Sequence, residues 1–329
     1  MEFPRSCGCK GIRTCLICEK KCGIQKKDFI GLKQERNAYV YCPWCKKAWP
    51  GWDVFTYEEH LNHSGTSLDF PGIFIKLDFL NVAEEECLMS GIDKMAWDPS
   101  QSGRRKQNFG PKCNFKKKRL KLGNFKGFPG FTRFVQEKFK DVNILKGYRT
   151  VEQCSLEYSP TRGASIDPHI DDCWVWGERI VTVNLLADCI LTMTQYHGEA
   201  SRYNLRDVDT YPPVLNEDGK VIDECKNADS SESLPLRNSG MDNSAKQVGT
   251  DVVVRVPMPR RSLLVMYGPA RYLWEHTVLR EDVLQRRVCL AYREFTPTYL
   301  EGGKHACEGS VILDMARNFW DHKSADSIN

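Results

Sequence analysis

The chain has 329 residues, of which 41% are hydrophobic, 11% aromatic and 27% charged, enough apolar surface for a substantial core, so wholesale disorder, coiled coil and collagen are excluded. No run approaches the roughly 18 apolar residues of a membrane span, and the opening MEFPRSCGCKG lacks the apolar core of a secretory signal, so a soluble protein of the cytoplasm or nucleus is expected, with no membrane partner. The 15 cysteines and the net charge of +4 are both spread unevenly.

Seven of the 15 cysteines fall in the first 45 residues. In a reducing compartment such close spacing points to metal rather than to disulfides. Cys7, Cys9, Cys15 and Cys18 place four thiols within twelve residues, which fits a closed tetrahedral zinc site; free thiols or an iron-sulfur cluster are the alternatives. Cys42-Pro-Trp-Cys45 followed by His60-Leu-Asn-His63 resembles a zinc finger, although its fourteen-residue gap and short histidine spacing depart from the usual pattern. Residues 1–66 are therefore read as a Cys/His-rich head, too small to fold by core burial alone and stapled by structural Zn(II).

Residues 67–147 begin with an amphipathic helix predicted over Phe79–Asp93, with Leu80, Val82, Cys87, Leu88 and Ile92 near helical spacing. From Pro99 to Gln136 there are eleven Lys or Arg and no Asp or Glu, which leaves the rest of the chain at net −7. Gly and Pro punctuate this stretch, so loop or irregular hairpin is expected. Phe109, Phe115 and Phe125 interleave with the cations, as in nucleic-acid surfaces; an acidic protein partner suits the stretch equally, Lys116–Arg119 could serve nuclear import, and a merely solvated face is the plain alternative.

Short β runs fill residues 148–297 (TVEQCSLEYS, ERIVTVNLLADCILTMTQ, DVVVRVP, RSLLVMYG, RRVCLAYREF), without alternating helices. This predicts a jelly roll or barrel. Residues 198–249 are rich in Asn, Asp, Ser and Gly and are read as a disordered insertion. The segment 298–329 is a tail with one helix, around Gly309–Trp320.

In IDPHID, His169 and Asp171 sit two apart, so on a strand they share a face; with His276 from another strand they can hold Fe(II) and leave sites open. One His-x-Asp is weak on its own, and a surface histidine beside solvated acids is the plain alternative. The strand Arg287–Arg293 puts Arg287, Cys289, Ala291 and Arg293 on one face. Two arginines facing a barrel interior ask for a dicarboxylate or buried acids; an edge strand facing water is the alternative.

The ordered set Tyr158, His169-x-Asp171, His276 and Arg287-x5-Arg293 resembles the AlkB family of Fe(II)- and 2-oxoglutarate-dependent dioxygenases. CGCKGIRTCLICE, QSGRRKQNFGPKCNF, SIDPHIDDCWVWGERIV and RSLLVMYGPARYLWEH narrow the resemblance to one branch of that family, and together they cover most of the chain outside residues 24–70 and the insertion. The resemblance implies a mainly β (α+β) fold, a double-stranded β-helix with flanking helices. It makes His169, Asp171 and His276 the iron ligands, Arg287 the partner of the distal carboxylate of 2-oxoglutarate, Arg293 the arginine nearer the metal-bound end, and Tyr158 a residue that hydrogen-bonds the cosubstrate. It makes the basic stretch a substrate lid with Arg104, Arg105, Lys106, Phe109, Lys112 and Phe115 as candidates. One position departs: the family commonly has Asn two residues before the tyrosine, and here it is Leu156, so its hydrogen bond is either missing or supplied by a group such as Ser155.

The implied reaction is oxidative N-demethylation consuming O2 and 2-oxoglutarate. The branch implies monomethyl-lysine of actin as substrate, hence actomyosin dynamics, cytokinesis and a place at the midbody or cleavage furrow, and also N6-methyladenine in DNA. A monomer is expected. A zinc-dependent adaptor with an inactive dioxygenase fold, or a nucleic-acid-binding module, is the alternative.

Overall fold

The structure, a computed structural model, describes residues 5, 7–26, 37–216, 218–222 and 252–321. Fourteen strands form two seven-stranded sheets. In spatial order, the first runs Ile166–His169, Trp274–Val278, Cys189–Gln195, Val252–Met258, Asn37–Cys42, Lys47–Pro50, Leu68–Asp69. The second runs Ile73–Lys76, Leu263–Met266, Trp176–Leu185, Arg287–Phe295, Glu152–Tyr158, Arg105–Phe109, Asp98–Pro99. From Glu152 onward eight strands are divided equally between the two sheets, with the chain crossing repeatedly from one to the other, which is the double-stranded β-helix expected from the sequence.

The period-two alternation of these strands decides what each face meets. On Arg287–Phe295, Cys289 and Phe295 belong to the core between the sheets, while Val288, Leu290 and Tyr292 face a second core. That second core is closed by Leu88, Met89 and Ile92 of the helix Val82–Asp93 and by Val135 of the helix Arg133–Lys138. The first of these helices starts where its cap dictates: Asn81 Oδ1 accepts from the Glu84 backbone N–H, and Glu84 returns a bond to the Asn81 N–H, each at 2.8 Å. Phe79 and Leu80 therefore precede the helix, and Val82 and Cys87, expected on its apolar face, are exposed.

Three boundaries differ from expectation. Residues 37–69 do not form a separate head; Asn37–Cys42 pairs in parallel with Val252–Met258 and extends the first sheet. Within the segment read as disordered, residues 198–216 and 218–222 are packed: Arg202–Thr210 is 3-10 helical, and Val208, Tyr211 and Leu215 are buried. A few large apolar residues suffice there because they lean on an existing domain. The rest of that insertion, 217 and 223–249, lies outside the described residues. The tail helix is Ala306–Met315, and Phe319–Trp320 instead pairs in parallel with Phe128–Pro129.

Part of the basic stretch is neutralised within the fold. Glu157, 1% exposed, accepts from Arg105 at 2.5 and 2.7 Å, from Arg286 at 2.8 Å and from Arg162. Burial opposes its ionisation, yet hydrogen bonds from Arg105 and Arg286 and the Arg162 charge hold its carboxyl down to about 2 from an ordinary 4.5. A carboxyl whose folded pKa is depressed stabilises the fold above its ordinary pKa, and that contribution is lost as pH falls from 4.5 toward 2. Glu157→Gln is expected to cost about 2–3 kcal/mol at pH 7 in a denaturant titration, less than a fully buried pair because the arginines are partly exposed, with the gap from wild type closing across that acid range.

Candidate active site

Antiparallel pairing sets His169 directly across from His276, with ring centroids 4.2 Å apart. Asp171 follows just past the end of the strand Ile166–His169 and is buried. Its Oδ1 accepts from Arg293 Nη2 at 2.9 Å and Nε at 3.2 Å, while Arg293 Nη1 donates to Glu152 at 2.6 Å. His169 Nδ1 lies 2.8 Å from the Asp167 carbonyl, which makes it the protonated nitrogen and leaves Nε2 with a free lone pair.

The electrostatics set these groups in ligand form. Burial pushes the His169 imidazole down, and burial with the neighbouring imidazole pushes His276 well down, so both are neutral at pH 7. Burial works against ionisation of Asp171, but the Arg293 charge outweighs it and holds its carboxyl well below the usual range. Asp171 Oδ2 and His276 Nδ1 are buried without a hydrogen-bond partner among the described residues. An unpartnered carboxylate oxygen beside two neutral imidazoles is what a divalent cation would satisfy.

Six residues along the chain, Arg287 presents a different environment. It is 3% exposed, its Nε donates to Asn184 Oδ1 at 2.7 Å, and its guanidinium lies 4.9 Å from the Tyr158 ring, the cross-strand neighbour. Among the described residues it meets no carboxylate. The buried-acid expectation therefore holds for Arg293 and not for Arg287, which is left as a buried cation without an anion.

The chain is 38% identical over 97% of its length, and 95% of the relative's, to alpha-ketoglutarate-dependent dioxygenase alkB homolog 4 of Homo sapiens, and equally identical to its Mus musculus counterpart. The chain belongs to the AlkB family of 2-oxoglutarate-dependent dioxygenases. A DNA N6-methyl adenine demethylase of Caenorhabditis elegans is 29% identical over 91% of this chain and 90% of its own. No protein-family model matches the chain.

The family implies Fe(II), and the site fits it: His169, Asp171 and His276 would hold the ion, which when bound supplies the oxidising chemistry by activating O2. A cavity of about 860 Å³ opens from Asp171 and Arg293 to the surface. Arg104, Lys106, Phe109, Lys112 and Phe115 line it, together with Lys126 and Trp320. Arg105, expected in the AlkB lid, does not: it sits on the opposite face, paired with Glu157 and over the Trp97 ring. Alternation along Arg105–Phe109 separates it from Lys106. Ser155 is corrected for the same reason. Glu152, Cys154 and Leu156 line the cavity, so Ser155 points away from it and cannot replace the missing asparagine.

Reading the sequence missed Asn184, which donates through Nδ2 to the Ala187 and Met258 carbonyls and so turns its Oδ1 toward Arg287. An asparagine inside the apolar run IVTVNLLAD was the available signal. Glu152 and Asp167, which hold Arg293 and His169, carried no signal of their own.

Both Cys/His groups assemble. Cys7, Cys9, Cys15 and Cys18 bring their Sγ atoms within 4.8 Å of one another, as do the ligand atoms of Cys42, Cys45, His60 and His63. In the second group Cys42 ends a strand and Cys45 lies in the following turn, while His60 lies in a 3-10 helix, Val54–Asn62, and His63 directly after it. Three residues make one 3-10 turn, so the short histidine spacing suits this helix better than an α-helix. Trp49 stacks on His63 and donates to Cys45 Sγ at 3.2 Å.

Proposed function

We propose that this protein is an Fe(II)- and 2-oxoglutarate-dependent oxidative N-demethylase. The observation that carries it is a buried Arg287 that meets no carboxylate among the described residues, on the same strand as Arg293, which at the floor of the cavity pairs with Asp171, the carboxylate that joins the facing His169 and His276. Arg287 binds the distal carboxylate of 2-oxoglutarate, with Tyr158 beside it, and Arg293 steadies Asp171 at the metal end. The walls hold the substrate methyl carbon at that floor and exclude water from it. Succinate, CO2 and formaldehyde are the products.

The substrate reading taken from the sequence blocks is monomethyl-lysine of actin, with a role in actomyosin dynamics and cytokinesis, in cytoplasm and nucleus and at the midbody or cleavage furrow. A cationic rim of Arg104, Lys106, Lys112 and Lys126 suits an acidic protein surface. The second reading, N6-methyladenine in DNA, is favoured by the Caenorhabditis elegans relative's name and by the same rim, which would meet phosphates. Formaldehyde release from monomethyl-lysine actin and from methyladenine DNA, each compared with His169→Ala, tests both. Product on neither substrate, with no 2-oxoglutarate binding, would sink the enzyme reading in favour of a zinc-dependent adaptor.

Rim charge can be tested alone. Lys112→Glu with Lys126→Glu is expected to raise KM for a DNA substrate about tenfold and flatten its salt dependence by roughly two phosphate contacts, with 2-oxoglutarate turnover uncoupled from substrate unchanged.

A further inference from the structure

The four-cysteine group lies beside the active site rather than apart from it. Its loop rests on residues 100–103, which lead into the strand Arg105–Phe109, and on residues 162–167, which lead into the strand of His169. Gly8 lies so close that a Cβ there would stand 2.6 Å from the Ser100 carbonyl, and a Cβ on Gly103 would meet both Cys15 and the Arg162 carbonyl. Gly163 is closed off by Leu16 in the same way. Glu19 accepts from Arg280 at 2.6 and 2.9 Å, anchoring the helix Leu16–Cys22. From the loop between the thiols, Arg13 donates to Gln101 and, at 3.3 Å, to Asp167 Oδ2. The carbonyl of that same Asp167 accepts from His169 Nδ1.

Without a cross-link this module has little to hold it in shape. Among the described residues its core is Cys9, Cys15 and Cys18, with Cys7, Ile17 and Ile24 packed around them. All four thiols are free, so no disulfide does the work. A tetrahedral ZnS4 centre with bonds of about 2.3 Å has edges of about 3.8 Å, which these Sγ atoms can reach with small side-chain adjustments. An iron-sulfur cube, whose own sulfides and irons stand between the thiolates, needs them farther apart.

We infer that Cys7, Cys9, Cys15 and Cys18 hold one structural Zn(II), and that this zinc module is a positioning element for the iron site, acting through Arg13 and Asp167 on His169. The coupling half rests on His169 being an iron ligand, as proposed above; the zinc half does not. Arg13 and Asp167 are positioning residues, since neither touches the metal.

The test uses the full-length protein. Zinc is counted by elemental analysis, and Fe(II) affinity is measured without O2 by the visible charge-transfer band of the Fe(II)–2-oxoglutarate complex. Cys15→Ser with Cys18→Ser should lose one zinc equivalent and weaken Fe(II) binding about 10- to 100-fold, the range for groups that orient a ligand. Arg13→Ala, at a half-exposed position, is expected to keep the fold and all its zinc while weakening Fe(II) binding about 3- to 10-fold, and Arg13→Lys to restore it. No loss of zinc in the cysteine variant, or acid-labile sulfide in the wild type, overturns the zinc assignment. Unchanged Fe(II) affinity in both the cysteine and Arg13→Ala variants overturns the coupling and shows the module to be structural only. A charge-transfer band that survives in His169→Ala would instead overturn the iron-site reading and with it the coupling, leaving the zinc count to stand by itself.

Discussion

Asp171→Asn is expected to reduce succinate formation by at least about 100-fold, a floor taken from changes to groups that merely orient ligands, and to remove Fe(II) binding along with it. Asparagine keeps an oxygen for Arg293 to donate to but not the charge that faces two neutral imidazoles. Arg293 then retains only Glu152 as an ionised partner, so the substitution also weakens the anchoring of that guanidinium. The adjacent Asp172 is the control. Its carboxylate turns away to accept from Asn204 at 2.5 Å, and burial pushes its pKa up, opposite to Asp171. Asp172→Asn is accordingly expected to leave iron content and turnover near wild type. Iron quantitation on both variants checks the assignment, and loss of iron in Asp172→Asn alone would reverse it.

Much of this site was legible in the sequence because side-chain alternation along strands is so regular. Once HID and RVCLAYR are read as strands or strand ends, the facing of His169, Arg287 and Arg293 follows. The histidine pair needed register, which spacing alone does not supply: only the antiparallel pairing of Ile166–His169 with Trp274–Val278 brings His276 to His169. Arg105 shows the opposite failure. Charge counting treats Arg104, Arg105 and Lys106 alike, whereas a strand sends neighbours to opposite faces and Glu157 claims one of them. The described part of the insertion, 198–216 and 218–222, was misread for a related reason. Its polar composition cannot build a core, but Tyr203 reaches Glu275 at 2.6 Å and Asn204 reaches Asp172, so residues near the active site recruit it.

Arg287→Met is expected to separate binding from stability in a way no other substitution in the site does. Truncating one partner of a buried, hydrogen-bonded charge pair costs about 2–5 kcal/mol of binding, and each 1.4 kcal/mol is a factor of about ten, so KM for 2-oxoglutarate should rise roughly 30- to several-thousand-fold. In the cosubstrate-free protein, however, this guanidinium is desolvated with an amide oxygen, a thioether and an aromatic ring for company, and no acid among the described residues. Replacing an uncompensated buried charge with an apolar side chain of similar length should leave the free protein as stable as wild type or more so. Arg293→Met predicts the reverse, because it strands Asp171 and Glu152 as two unpaired buried carboxylates and should destabilise the fold. Thermal unfolding with and without 2-oxoglutarate reads both effects together: wild type is stabilised by the ligand, and Arg287→Met starts at least as high and does not respond. A destabilised Arg287→Met that still responds to 2-oxoglutarate would mean that this arginine is a structural cation and that the distal carboxylate is bound elsewhere.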